Sequence, residues 1–347
     1  MRAVYIDRYG PPDVLKFGEV EDPKLPSDDH VLVRVKASSV NNLDIITRRG
    51  AYKFLIKRFP HILGADLAGV IEKVGRNVKD LAEGERVIGY PILYDGKCYW
   101  CKNGYENLCD NLGVVGRDLS GSYAEYVVVP AKNVYPMPKN LDYYQASTIQ
   151  LALITAWHAL TKRVSIKEGD TVFIWGGSGG VGTFAIQIAK LFGATVITAT
   201  SNDDKARKLK EMGADYVINY KEDDVEKKVL EYTNGLGADI VLDTIGPLTI
   251  NKSIRIAKKR GKVIVLGFWG TDDDTVSFTL RSIYLKHVSI VGSAMGTRND
   301  MVEALREVIR GGIKPIIDSV IKLEEARRAH ERFESNEKFG KIVLSVD

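Results

Sequence analysis

Cysteine is nearly absent from this chain: three in 347 residues. That is too few for a disulfide framework and suits a reducing compartment. Long apolar runs are missing too, so no segment reads as a membrane span of ~20 residues. Neither sign of charge dominates. Lys and Arg number 49 against 45 Asp and Glu, a formal net charge of +4. With no long basic run, a nucleic-acid partner is not indicated. The opening "MRAVYIDRYGPPDVLKFGEV" reads as strand and turn rather than a cleavable leader, and the expectation is a cytoplasmic protein without membrane attachment. Glutamine is reduced to three residues while Lys and Glu are plentiful, a bias towards thermophile composition. What is present is ordinary for a globular protein, 45% apolar and 27% charged. The length exceeds one ordinary core and implies two domains.

The two halves of the chain follow different periods. Up to about residue 135, short alternating segments such as "VLVRVKASSV", "LAGVIEKVG", "ERVIGYPIL" and "GSYAEYVVVPA" are broken by Gly and Pro, the pattern of an antiparallel β region. Near residue 145 the pattern changes. "YQASTIQLALITAWHAL" has helical length and an apolar face, and strands then alternate with helices from "DTVFIWG" to "GKVIVLG". The reading places "INKSIRIAKK" among the helices. Alternation at this spacing predicts an α/β domain with a doubly wound parallel sheet. From about 295 a helix, "DMVEALREVIRGG", leads to mixed segments and a last strand, "KFGKIVLSVD".

The most specific local signal is "TVFIWGGSGGVGTFAIQIAKLFGATVITATS", in which a buried strand runs into Gly177-x-Gly179-x-x-Gly182 and a helix begins. The first Gly permits a tight turn, the second lets backbone approach a pyrophosphate, and the third lets helix and strand pack closely. Ser178, Gly180 and Val181 complete a loop whose helix N-terminus faces the anion. Thr183 and Phe184 stand where a triphosphate loop needs Lys and Ser/Thr. The next strand ends at Thr200 and Ser201, where a chain preferring NAD carries an acid for the ribose hydroxyls. Hydroxyls with Lys205 nearby would tolerate a 2′-phosphate, so NADP(H) is expected. The alternative is Asp203 or Asp204 swinging in to serve NAD. Tyr220 would lie over the adenosine end.

All three cysteines fall within "YDGKCYWCKNGYENLC", as Cys98-x-x-Cys101 and then Cys109. A structural zinc needs four ligands, so the cysteines alone do not complete a site.

These features in this order, with "GADLAGVIEKVGRNV", "GERVIGYP", "CKNGYENLC", "LITAWHAL" and "KFGKIVL", resemble the medium-chain dehydrogenase/reductase superfamily over essentially the whole chain. The resemblance implies a GroES-like β domain at 1–150, rejoined by 293–347, and a Rossmann domain at 151–292. It adds Thr155 and Gly267 to the expected cofactor contacts. Zinc-bearing members hold one structural zinc through four cysteines spaced x2, x2 and x7. Counting back from Cys109 by that rule reaches Cys101, Cys98 and then Asp95, so the implied ligands are Asp95, Cys98, Cys101 and Cys109, with aspartate in place of the first cysteine. An empty lobe or a redox-active thiol pair are the competing readings.

The catalytic zinc of the alcohol-dehydrogenase branch finds no such set. Asn41 stands in the place of its cysteine, Ala65 and Asp66 replace its His-Glu pair, and the later ligand position falls near Gln150. Members lacking that zinc resemble quinone oxidoreductases and enone or enoyl reductases. "VNNLD" and "RRGAY" resemble their segments, which implies Asn41 beside the nicotinamide carboxamide or substrate carbonyl, Asp44 orienting the loop and Tyr52 at the substrate pocket. Structural roles compete, Asn41 capping a turn and Asp44 the helix after it. The leading expectation is an NADPH-dependent oxidoreductase reducing an activated double bond or a quinone without a catalytic metal. The others are an alcohol dehydrogenase with a rearranged zinc site using His61 and Asp66, and a non-catalytic NADPH-binding protein. Leu93, Tyr94, Phe268 and Trp269 suggest an aromatic-lined cleft for a small-molecule substrate. The family habit implies a homodimer or homotetramer through the "VSIVGSAMG" edge strand.

Overall fold

The computed structural model describes residues 1–51, 56, 58–269 and 274–346. The chain divides into two compact units, one comprising Met1–Leu151, Thr297–Ile309 and Pro315–Asp347, the other Ala152–Gly296 and Arg310–Lys314.

The first unit is built on the strand His30–Ser39. Its inward positions Val31, Val33, Val35 and Ala37 are at most 1% exposed, the period-two burial its sequence alternation requires. It pairs antiparallel with Asp66–Val74, with Tyr126–Pro130 and, at its far end, with the strand Lys341–Ser345. Val343 lies opposite Ser39, so the last strand is a direct neighbour of a strand formed three hundred residues earlier. Just beyond Ser39, Asn41 N-caps the helix Asn42–Arg49, which ends in left-handed Gly50 (φ 92°).

The second unit is a six-stranded parallel sheet in the order Tyr216–Asn219, Thr195–Thr200, Thr171–Ile174, Ala238–Asp243, Ala257–Val265, Ser289–Gly292. Both faces are covered, so the central strands are continuous apolar runs. Val172, Phe173, Ile174, Val241 and Leu242 are all fully buried. Asn202 and Asp224 cap the helices Asp203–Glu211 and Val225–Tyr232 by accepting from the Lys205 and Lys227 amides.

Two expected helices are cut short. The stretch from Tyr143 resolves into helices Tyr143–Ala146 and Leu151–Trp157, followed by a π-turn over His158–Arg163. The break falls where the Ser147 and Thr148 hydroxyls donate back to the Tyr144 and Gln145 carbonyls. The helix Ile250–Ile256 also ends early: Ala257, in the "AKK" read as helical, pairs with Ala238 instead. A bulge then carries Arg260 at φ 66° before pairing resumes at Lys262. No helix among the described residues is long and apolar enough to cross a membrane.

Candidate functional site

In the parallel-sheet unit the expected dinucleotide residues other than Thr155 lie at or just beyond the carboxyl ends of the strands. Gly176 takes φ +70° and starts the turn. A Cβ on Gly177 would sit 2.1 Å from the Thr198 hydroxyl, and one on Gly182 would sit 2.2 Å from the Gly176 carbonyl. Backbone and a buried strand side chain cannot yield, so only glycine fits either place. Gly179 caps the helix Gly180–Leu191. The first-turn amides of Gly180, Val181 and Gly182, with Ser178 before them, form an amide-lined helix start of the kind that can receive an anion.

Thr200 ends the neighbouring strand, buried, with its Oγ1 lacking a hydrogen-bond partner among the described residues. Tyr220, 45% exposed, lies beside it because its amide donates to the Thr200 carbonyl at 3.0 Å. Ser201 leads into the Asn202 cap, and Lys205 is buried in the first turn behind it. Asp203 accepts from Asn219 Nδ2 at 3.3 Å, and Asp204 pairs with Arg207. Asn219 is the residue paired with Thr200 across the two strands, so Asp203 is held close to that strand end, while Asp204 is exposed in its pair with Arg207. Gly267 follows the fifth strand at φ +146°, with nothing within 4 Å of where its Cβ would point. Thr155 is buried on the helix Leu151–Trp157. A cradle that a Cβ would fill and an orphaned ribose-side hydroxyl fit a bound nicotinamide dinucleotide.

In the other unit, one donor atom from each of Asp95, Cys98, Cys101 and Cys109 lies within 4.8 Å of all the others. Cys98 Sγ and Cys109 Sγ are 3.9 Å apart. Zn–S bonds of about 2.3 Å at tetrahedral angles put ligands ~3.8 Å apart. The Asp95 carboxylate is held in place by the amides of Lys97 and Cys98 and by Asn111 Nδ2 at 2.7, 3.0 and 2.8 Å. Those bonds keep its carboxyl well below the usual range. Desolvation, with two thiol neighbours, pushes the Cys101 thiol up to about 12, so a cation must displace its proton to use it. Three soft sulfurs and one carboxylate, all from protein, fit a structural zinc with no open position.

A third cluster occupies the place where a catalytic metal would need ligands. Asp66 is fully buried and accepts from four groups. Its Oδ2 takes the Ser39 hydroxyl at 2.7 Å, Asn41 Nδ2 at 2.8 Å and Lys341 Nζ at 3.2 Å, and its Oδ1 takes the Leu151 amide at 3.0 Å. Lys341, 3% exposed, also donates to Asn41 Oδ1 at 2.5 Å and the Val40 carbonyl at 3.0 Å. Both ends of the Asn41 amide are therefore spent inside the protein. Gln150 is equally committed, to the Leu67 amide and carbonyl at 2.9 and 2.6 Å. His61 Nε2 bonds the Gly116 carbonyl at 3.0 Å. Ala65 supplies no donor.

Asp44 is buried one turn into the helix that Asn41 caps. Its Oδ2 accepts the Asn41 amide at 2.8 Å and faces the Tyr123 hydroxyl at 3.3 Å, and its Oδ1 accepts the Gly64 amide at 3.1 Å. Desolvation outweighs these donors and lifts its carboxyl to about 7. Tyr123 in turn meets His330 Nε2 at 3.2 Å, and His330 Nδ1 meets Arg48 Nη1 at 3.1 Å. A guanidinium only donates, so Nδ1 is an acceptor, Nε2 carries the proton, and the chain points from Arg48 through His330 and Tyr123 to Asp44. Burial and the Arg48 charge hold His330 neutral. Sequence reasoning found Asn41 and Asp44 but not Lys341, Tyr123 or His330. Lys341 and Tyr123 do lie in the quoted stretches "KFGKIVL" and "GSYAEYVVVPA", but neither stretch says anything of a side chain's partner. Tyr52 lies outside the described residues.

Two family models match the chain, the alcohol dehydrogenase GroES-like domain over residues 27–139 and zinc-binding dehydrogenase over 180–310. The NAD-dependent alcohol dehydrogenase of Saccharolobus solfataricus is 33% identical, with 99% of each chain covered. The acryloyl-coenzyme A reductase of Sulfurisphaera tokodaii is 31% identical, again with 99% of each covered. A crystal structure of an NAD-dependent alcohol dehydrogenase matches with a TM-score of 0.95 at 37% identity, covering 100% of both chains. With a GroES-like unit, a parallel dinucleotide-binding sheet and a cysteine lobe fit for zinc, the chain belongs to the medium-chain dehydrogenase/reductase superfamily of oxidoreductases.

Proposed function

We propose that this protein is an NADPH-dependent reductase of activated carbon–carbon double bonds, enones or enoyl thioesters, or of quinones, working without a catalytic metal and carrying one structural zinc. The observation that carries the reading is the Lys341–Asp66–Asn41 cluster. An alcohol dehydrogenase stabilises the alkoxide with a Lewis acid. Here Asp66 already holds an internal cation, Asn41 and Gln150 are spent on protein partners, and His61 is tied to backbone. Zinc at this place would have to expel a buried ammonium and be held by one carboxylate and two amides.

The bound cofactor supplies a hydride. The glycine loop binds its pyrophosphate, and Thr200, Ser201 and Lys205 favour the 2′-phosphate. Asp44, held by Tyr123 and two amides, fixes the turn at Asn41. The enolate left by hydride addition needs a donor rather than a metal, and water supplies its proton. The S. tokodaii relative is named for reduction of an enoyl thioester, which agrees with this class. Among the described residues the strand Ser289–Gly292 pairs on one side only, and this supports assembly as a homodimer or homotetramer by edge-to-edge pairing.

The test is zinc per chain before and after dialysis against a mild chelator, with NADPH oxidation followed on enones, enoyl thioesters and quinones. One retained zinc and chelator-insensitive reduction are expected. Two zincs, one lost together with alcohol oxidation, would overturn the reading. Tight NADPH binding without turnover on any of these classes would make the chain a binding protein.

A further inference from the structure

The buried hydrogen-bond chain from Arg48 to Asp44 has a fixed direction. Arg48 is fully buried, and each nitrogen of its guanidinium is committed: Nε to the Gly10 carbonyl at 3.2 Å, Nη2 to Glu334 Oε1 at 2.8 Å and Nη1 to His330 Nδ1 at 3.1 Å. Glu334 holds the positive charge there, and a guanidinium only donates. His330, also fully buried, therefore gives its Nε2 hydrogen to the Tyr123 oxygen, which leaves the Tyr123 hydrogen for Asp44 Oδ2. With the Asn41 and Gly64 amides, the Asp44 carboxylate then has three donors. From Arg48 Nη1 to Asp44 each hydrogen along the chain meets an acceptor, as burial demands.

A proton taken up by Asp44 breaks this order. Both of its oxygens already face amide hydrogens, so among the described residues the acid hydrogen has only the Tyr123 oxygen to go to. The Tyr123 hydrogen must then turn to His330 Nε2, and the His330 hydrogen must move to Nδ1, with no net change in the protons on His330. There it confronts the Arg48 Nη1 hydrogen, and that bond is lost. Protonation at one end is thereby coupled to a broken contact at the other. The surroundings of Asp44 pull both ways. Burial and Asp66 on the neighbouring strand oppose its ionisation, while the Asn41 and Gly64 amides and Lys341 on the last strand favour it. On the His330 side the charged groups are Arg48, Arg49 and Glu334. Burial and Arg48 keep the imidazole neutral, so it changes tautomer rather than charge. Burial and Asp44 push the Tyr123 hydroxyl upward, so it stays protonated.

We propose that Tyr123 and His330 are positioning residues for the turn at Asn41. Anchored by Arg48, they present Asp44 with a donor and no acceptor, which holds it as the carboxylate that grips the Asn41 and Gly64 amides. Proton uptake loosens that grip, because a neutral acid accepts more weakly than an anion, and turns His330 from its Nε2–H to its Nδ1–H tautomer. The Asp44 carboxyl lies at about 7, so the carboxylate form holds above neutrality and the reversed chain below it. The proposal rests on the reading of Asn41 as part of a reductase site and deepens it by naming what fixes the turn there and over which pH range.

Ring-nitrogen NMR of histidine-labelled protein reads the tautomer directly, with the His330 signals assigned by replacing His30, His61, His158 and His287 in turn. Across about pH 5.5–8.5, His330 is expected to carry its hydrogen on Nε2 at the alkaline end and on Nδ1 at the acid end, with a midpoint near that of Asp44. Tyr123→Phe keeps the ring, cuts the link and should hold His330 in the Nε2–H form throughout. Losing that donor should also raise the Asp44 midpoint, followed by carboxyl-carbon NMR, by about one pH unit. The rate of NADPH-dependent enone reduction should fall on the acid side of the same midpoint, and the fall should move up with it in Tyr123→Phe. A merely structural loss would lower the rate evenly at every pH. A wild-type His330 that keeps one tautomer across the range, a tautomer change that survives Tyr123→Phe, or a rate profile that Tyr123→Phe leaves in place would each overturn the proposal. A tautomer change that follows Asp44 in a protein that reduces no enone, enoyl thioester or quinone would keep the coupled chain and overturn the reductase reading.

Discussion

Replacing Lys341 by Met tests whether the buried ammonium is the cation its carboxylate requires. Methionine nearly preserves the length and volume of the lysine stem, so little cavity is created. What changes is electrostatic. Asp66, 0% exposed, loses its only charged partner among the described residues, while Asn41 Oδ1 and the Val40 carbonyl lose their Lys341 donor. Removing one member of a buried ion pair typically costs 3–5 kcal/mol. The Ser39, Asn41 and Leu151 donors to Asp66 survive, which places the expectation near the lower end, about 3 kcal/mol. The assay is equilibrium denaturation in urea of wild type, Lys341→Met, Asp66→Asn and the double variant. Either single change leaves an uncompensated partner and the double change removes both charges, so the double variant should cost less than the sum by about 2 kcal/mol, within the range of contacting pairs. A Lys341→Met cost below ~1 kcal/mol, or strict additivity, would refute the argument, because the carboxylate would then be satisfied without the ammonium.

Asp44 gives a pH-dependent prediction. Its folded carboxyl sits at about 7 against an ordinary 3.8. Between those values the folded state holds a proton the unfolded chain has released, so this group's contribution to stability falls as pH rises from about 4 to 7, by ~4 kcal/mol in all. Asp44→Asn should flatten that part of the stability–pH curve in denaturation series, and an unchanged slope would show that the carboxyl titrates normally. Thr200→Asp should shift binding preference from NADPH towards NADH at least tenfold by calorimetry, since a carboxylate there repels a 2′-phosphate. Unaltered preference would move the phosphate site away from that strand end.

The glycine loop was legible because its chemistry is local. A turn, a close backbone approach and a helix start fall within six residues, and each demands glycine for a steric reason visible in the sequence. The metal lobe was half legible. Cysteine spacing placed three donors, but Asp95 emerged only by counting from the family pattern, and it is Asn111 and two amides that make its carboxylate a prepared ligand. The polar cluster was not legible. Asp66 and Lys341 are separated by 275 positions, and Arg48 and His330 by 282. Pairings at that distance leave no periodicity. The reading did raise helix capping for Asn41 and Asp44, yet not that the Asn41 side chain would be spent on Lys341 and Asp66.

The return of the last strand to the first unit also sets an order of events during synthesis. The residues from Ala152 to Gly296 form a contiguous sheet whose pairing partners have all been made by Gly292. The earlier unit is different. Its central strand waits for Lys341–Ser345 as a neighbour, and Asp66 has no counter-charge until Lys341 is made. While the ribosome is still translating, the segment made first should therefore be finished last, with an open strand flank and an uncompensated acid in its interior. That is where exposure to wrong strand pairing is longest.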